Sequence, residues 1–202
     1  MPHPRRPVLL LFLAVVVFLS SFAALNITAI LSGRRGLAEF SRALSITGLE
    51  DAISSSRAGV TVLAVDDAHM APLTTTPGRG GLPREALRRA LSRHVLAGYY
   101  DDASLRRRLL TVTTGAGDST AAGIVVPTLL LLDDDDARAA AGAVKIVARR
   151  AQGRAAASVA FEPMDDDDGA VFYVGPVHEA PDDGSVSVLL VSGVIASIVP
   201  RA

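Results

Sequence analysis

The chain contains no cysteine and no tryptophan, and only 4% of its residues are aromatic. Without cysteine there is no disulfide, no thiolate nucleophile and no zinc–cysteine site. With so few aromatics, a core has to be built from Ala, Val, Leu and Ile, and half of the chain is hydrophobic. Neither sign of charge dominates: 20 Lys and Arg face 21 Asp and Glu. A near-neutral balance with no basic block gives nucleic acid no electrostatic handle. The pattern G-x-S-x-G is missing, so no nucleophile elbow is available for acyl transfer. Arg-Gly-Asp is missing too. The four histidines, His3, His69, His94 and His178, are scattered, and no two have ligand spacing on a helix. No metal and no cofactor is expected. A length of 202 residues suits one domain with a sizeable core.

What is present begins with a leader. Arg5 and Arg6 precede an unbroken apolar run, Val8 to Leu19, and "SSFAAL" follows with small residues. That order is a secretory signal peptide, residues 1–24, with the folded domain over 25–200. The uncharged stretch to Leu25 is at the short edge of a membrane span, so an uncleaved signal anchor is the alternative. Asn26-Ile27-Thr28 is an N-glycosylation sequon built on the single asparagine of the chain. The same Asn26 is suited to cap a helix over "ITAILS", and the two roles are compatible.

From Ile27 to Ser54 apolar residues recur at helical spacing, and Gly33, Gly36 and Gly48 cut the stretch into two or three short helices, with Thr47 as a cap for "GLEDAI". Val60 to Val65 is a short β-branched run, the pattern of a buried strand. Asp66 or Asp67 then caps a short helix over "AHMAPL". After Pro83 a helix places Leu87, Leu91, His94 and Val95 on one face and ends at Gly98. "DDASLRRRLL" reads as one more helical piece, capped by Asp102 or Ser104. Beyond Leu109 the pattern turns to β: "LLTVTT", "AGIVVPTLLLL", "GAVKIVA", "AASVAFEP", "GAVFYVGPV" and "GSVSVLLVSGVI" are separated by Gly, Asp or Pro clusters. Helices early and strands late predict an α+β domain with an antiparallel sandwich or barrel-like half.

Several of these segments, in order, resemble a known family. "VTVLAVDDAHM" is similar to the first signature of the fasciclin, or FAS1, domain, a strand running into a capped turn. "ALSRHVLAGYYDDASL" resembles its middle segment, in which a histidine precedes a Gly-Tyr turn. "SVSVLLVSGVIAS" resembles the closing signature. "NITAILS" and "ASVAFEPMDDDDGAVFYVGPVHEAP" look like parts of the plant fasciclin-like arabinogalactan proteins. The resemblance covers essentially all of the chain after the leader. It implies a single FAS1-type α+β domain, a β-sandwich or wedge of about seven strands, with several short helices in the N-terminal half.

The resemblance also assigns roles. It makes Asp66, Asp67, His94 and Tyr99 structural motif residues, with His94 hydrogen-bonded under the sheet to the Asp66/Asp67 turn. It implies a non-catalytic extracellular module for cell adhesion or cell-wall matrix organisation. Such a module is secreted and binds cell-wall polysaccharide or an extracellular protein through its surface. The residues add departures from the arabinogalactan pattern. The eleven prolines are scattered rather than repeated, which argues against dense O-glycosylation. The tail "VLLVSGVIASIVPRA" lacks the polar spacer of a lipid-anchor signal and coincides with the closing strand. The Asp tetrads at 133–136 and 165–168 fail the calcium-loop pattern, because a loop with Gly169 at its sixth position would begin on Met164 and end on Gly175. Four adjacent aspartates read as solvated loops. Arg106 to Arg108, beside Asp101 and Asp102, read as a solvated face. A second class of function stays open: a secreted or membrane-tethered module holding a small apolar ligand in a gap of the aromatic-poor core.

Overall fold

The computed structural model describes residues 26–56, 59–75, 81–107, 123–130, 142–150, 157–164, 169–179 and 186–195. The leader at 1–24, the expected strand at 109–114, the loop at 115–122 and both Asp tetrads lie outside the described residues.

Five helices and two strands come first: α1 (Ile27–Ser32), α2 (Ala38–Thr47), α3 (Leu49–Ser55), β1 (Val60–Val65), α4 (Asp67–Thr74), α5 (Arg84–Ser92) and β2 (Val95–Ala97). Two turns of helix over 102–107 follow. The described strands that follow are β3 (Ile124–Pro127), β4 (Ala143–Arg150), β5 (Ala157–Pro163), β6 (Val171–Glu179) and β7 (Val186–Val191). The architecture is the expected α+β, with helices in the N-terminal half.

Helix α2 is the hub of the helical layer and packs against α1, α3, α4 and α5. Its spacing explains this, since Phe40, Ala43, Leu44 and Thr47 fall on one face and are all buried. The chain then reverses into α3 through Gly48 at φ 71°, which ends α2 and opens α3. The expected cap, Thr47, is instead the last residue of α2, and its hydroxyl donates back to the Ala43 carbonyl at 2.7 Å. A one-residue reversal needs the left-handed backbone that glycine adopts without strain. Arg88 Nη1 donates to the Thr47 carbonyl at 2.8 Å and satisfies one of the carbonyls freed there.

Strand β1 is buried at all six positions. It lies between β2, antiparallel, and β7, parallel, so both its edges are paired, and its uniform burial shows that both faces are covered. The seven strands run in the order β2-β1-β7-β6-β5-β4-β3. The parallel β1–β7 pair departs from the all-antiparallel expectation: it joins strands from opposite ends of the sequence, which no hairpin signal announces. Strand β6 pairs with β5 only at Val171 and Phe172, then shifts through two irregularities onto β7. An isolated bridge between Leu96 and Thr128 brings the β2 edge beside the end of β3, so the strands curl toward closure.

Helix α5 ends at Ser92, six residues short of the expected Gly98, and Val95–Ala97 is strand. The reason is tertiary. The edge of β1 needs partners: Leu63 N–H donates to the His94 carbonyl at 2.8 Å, and Gly98 N–H to the Gly59 carbonyl at 3.0 Å. Pairing the apolar segment Val95–Ala97 there outweighs one more turn of helix.

Candidate functional site

His94 sits in the turn between α5 and β2 with no solvent exposure. Its Nδ1 lies 2.8 Å from the Leu63 carbonyl oxygen, and the Ile195 N–H points at its Nε2 from 2.9 Å. A carbonyl only accepts, so Nδ1 carries the proton. Nε2 is then the bare nitrogen that accepts from Ile195. The geometry therefore selects one neutral tautomer and commits both nitrogens to main chain. Burial pushes the imidazole down to about 4, against the opposing pull of the Leu63 carbonyl. Phe40 meets the ring edge-on, 6.3 Å between centroids. The partners are β1 and the segment after β7, not the Asp66/Asp67 turn. The His94 backbone directly precedes β2, which pairs with β1, so its ring meets the Leu63 carbonyl of β1 and the chain leaving β7 closes over it.

The two aspartates serve helix starts instead. Asp66 is the N-cap of α4: its Oδ1 accepts the His69 N–H at 2.9 Å and also meets His69 Nδ1 at 2.7 Å. Burial alone would raise this carboxyl, but the His69 contacts more than offset it and hold it below its ordinary value. Asp67 reaches across to α2, where its Oδ1 accepts the Glu39 N–H at 2.8 Å. Helix α2 has no side-chain cap of its own at Leu37, so Asp67 supplies a carboxylate to its first turn from a distant part of the chain. The sequence shows the Asp pair but carries no signal for that second partner.

Tyr99 follows Gly98, whose φ is 103°, and is half-buried. The clamp on this turn belongs to its neighbours: the Thr61 hydroxyl donates to the Gly98 carbonyl at 2.8 Å and accepts the Tyr100 N–H at 2.8 Å. The next helical turns are capped by Asp101 rather than Asp102 or Ser104. Asp101 Oδ1 accepts the Ser104 N–H at 2.6 Å, and Ser104 Oγ accepts the Asp101 N–H at 3.1 Å, a reciprocal box. Asp102 is thereby free to accept from the Tyr173 hydroxyl at 2.7 Å and from Arg106 Nε at 2.8 Å. Its N–H donates to Glu179 Oε1 at 2.6 Å. Arg106, ahead of Tyr173, holds the Asp102 carboxyl low. Burial first, and Asp102 second, push the Tyr173 phenol up. Residues 98–107 thus form a strap pinned to β1 and β6. Asp102–Tyr173 is the contact that sequence reasoning missed, because nothing local to either residue marks it.

Asn26 is exposed and caps α1, accepting the Ala29 N–H on Oδ1 at 3.1 Å. A small apolar cleft of about 80 Å³ opens where α3, the start of β1 and the Leu96–Thr128 seam meet, lined by Ile53, Val60, Val95 and Leu129. Among the described residues, no three of His, Asp or Glu are grouped to hold a metal ion, and no helix is long and apolar enough to cross a membrane.

No family model and no curated protein matches the sequence. Among solved structures, the chain superposes on a FAS1 domain pair from the insect cell adhesion molecule fasciclin I with a TM-score of 0.51 at 14% identity. The match covers 79% of this chain and 45% of that one, so the chain spans less than half of the pair. The fold is that of a FAS1 domain.

Proposed function

We propose that the chain is a non-catalytic, extracellular adhesion-type module of the fasciclin kind. In this reading it organises matrix, a plant cell wall by the likeness of its segments to arabinogalactan members, and binds polysaccharide or protein through its exterior. One observation carries the non-catalytic part: both nitrogens of His94 are committed to backbone groups of Leu63 and Ile195 in a site without solvent exposure. A general base needs a nitrogen within reach of a substrate proton. The fold likeness to a cell adhesion molecule supports the adhesive part. The test coats beads with the secreted module and measures their clustering, and their retention on immobilised acidic and neutral wall polysaccharides. Clustering or retention above that of a heat-unfolded control supports the reading. Beads that behave like the control on every surface refute it.

A second reading is favoured by the apolar cleft beside Ile53, Val95 and Leu129. Its volume of about 80 Å³ accommodates a small aliphatic group. Native mass spectrometry of protein from its own tissue separates the two: a retained apolar compound supports a ligand-holding role, and a bare chain supports the adhesive one.

A further inference from the structure

We propose that the outward face of the sheet half β3–β6 is a docking surface for an acidic segment of another protein that also carries aliphatic side chains. The inference rests on the reading that the chain works through its exterior, and it names the place and the kind of partner.

Strand alternation defines the face. Val126, Val144, Ile146, Phe161 and Val171 turn into the core. Their neighbours along each strand therefore point the other way. The register sets Val125 opposite Lys145 and Lys145 opposite Glu162, with Arg149 four residues further along β4. Met164 joins the face just past β5, where its N–H donates to the Ala143 carbonyl at 3.3 Å. Val174 joins it from β6, two residues beyond Phe172.

The apolar content of this face is concentrated. Among the described residues four large apolar side chains are exposed, and three of them are here: Val125 at 52%, Met164 at 43% and Val174 at 56%. Single apolar side chains at a surface are ordinary, whereas several on one face of one sheet mark a contact. The fourth, Ile46, is on α2.

The charged content selects the partner. Arg149 Nε meets Glu162 Oε1, and the Arg149 side chain stays 53% exposed while that of Glu162 is 13% exposed. One carboxylate thus answers two cations, and the face is positive. The stem of Lys145 is held: a Cβ on Gly123 would lie 2.4 Å from its Cε, so the stem fills the space over that glycine. Lys145 and Arg149, four residues apart on one strand, are about 13 Å apart along β4. An extended segment lying along β4 meets both with carboxylates at the same spacing, and an arginine fork suits a carboxylate. Sugar hydroxyls set against Val125, Met164 and Val174 would lose water and gain no hydrogen bond, which disfavours a polysaccharide here. A second copy docked face to face would set the positive surface against itself.

The test offers the full chain, immobilised, to a displayed library of linear peptides, beside a Val125→Ser/Val174→Ser variant whose melting matches the parent. Lys145→Gln supplies a second variant that leaves the apolar residues in place. The parent is expected to enrich peptides rich in Asp or Glu and in Val, Leu or Ile. The strongest of them, made synthetically, is expected to bind the double variant at least ~10-fold more weakly, because two apolar contacts are lost. Its binding to the parent falls as salt rises and falls again with Lys145→Gln. Nuclear magnetic resonance then shows shifted amides in β3–β6 and unmoved ones in β1 and β2. Peptides that bind all three proteins alike overturn the proposal. So does soluble polygalacturonate whose binding Lys145→Gln abolishes, which gives the face to a polysaccharide. A dimer in sedimentation that the double variant loses gives it to a second copy and also overturns the proposal. The bead assay separates this surface from the adhesive reading. Parent beads that behave like the unfolded control while the peptide still binds would sink adhesion and leave the surface standing. Beads of parent and double variant that cluster alike, with no peptide bound, would sink the surface alone.

Discussion

Replacing His94 by alanine removes two hydrogen bonds and most of a ring from a site with no solvent exposure. The Leu63 carbonyl and the Ile195 N–H lose their partners at 2.8 and 2.9 Å. A buried polar group left unpaired costs about 1–3 kcal/mol, and the vacated space beside Phe40 adds a cavity term, so the total comes to roughly 4 kcal/mol. For a chain of this length each kcal/mol moves the midpoint by about 2–4 °C, which places the melting transition of His94→Ala roughly 12 °C below the parent. Circular dichroism with heat or urea reads it. Two further variants divide the effect. Asn at 94 reaches the position of Nδ1 and keeps the donor to Leu63. Gln reaches the position of Nε2 and keeps an acceptor for Ile195. Each is expected to recover part of the loss. A His94→Ala protein melting within about 2 °C of the parent would refute the reasoning, because that shift is under one kcal/mol. The same site sets a pH dependence. The folded imidazole is pushed down to about 4, whereas an unfolded histidine titrates near 6.5. Between those values the unfolded chain binds more protons, so stability is full above pH ~6.5 and falls as the pH drops toward 4. The difference amounts to roughly 3 kcal/mol. Urea midpoints measured across that window fall steeply for the parent, and the His94→Ala protein lacks this component.

Asp66→Ala removes the cap of α4 and is expected to cost about 1 kcal/mol, with Asp66→Asn recovering most of it; equal losses in chemical denaturation would mean that the cap is not the source. Tyr173→Phe breaks the contact to Asp102 and is expected to cost about 1 kcal/mol while raising amide exchange across 99–107 above that of β1. Unchanged exchange there would separate the strap from its pin. Gly48→Ala forces a side chain into φ 71° and is expected to destabilise by about 1 kcal/mol, read as a lower urea midpoint at unchanged slope.

Elements whose causes are local are legible in the amino-acid order alone. Val60 to Val65 is a β-branched and aliphatic run with Thr61 as its one polar side chain, and that run is visible without a fold. The Asp66-Asp67 pair marks a cap without choosing between its two members, and the spacing of Phe40, Ala43, Leu44 and Thr47 indicates which face of α2 turns inward. The helices-first order and the later β-rich runs were likewise legible.

Features that depend on two distant segments meeting are set by packing. Val95–Ala97 carries the spacing of a continuing helix, yet it becomes strand because β1 has an edge to fill. β1 and β7 run parallel, a pairing with no turn between them to signal it. Asp67 caps a helix that begins earlier in the chain, and Asp102 finds its phenol on β6. The histidine could be read as a structural residue from its segment, but its partners, Leu63 and Ile195, are main-chain groups, which every residue carries alike. A backbone carbonyl or N–H leaves no mark in a sequence, so which of them a buried ring meets is fixed by packing alone.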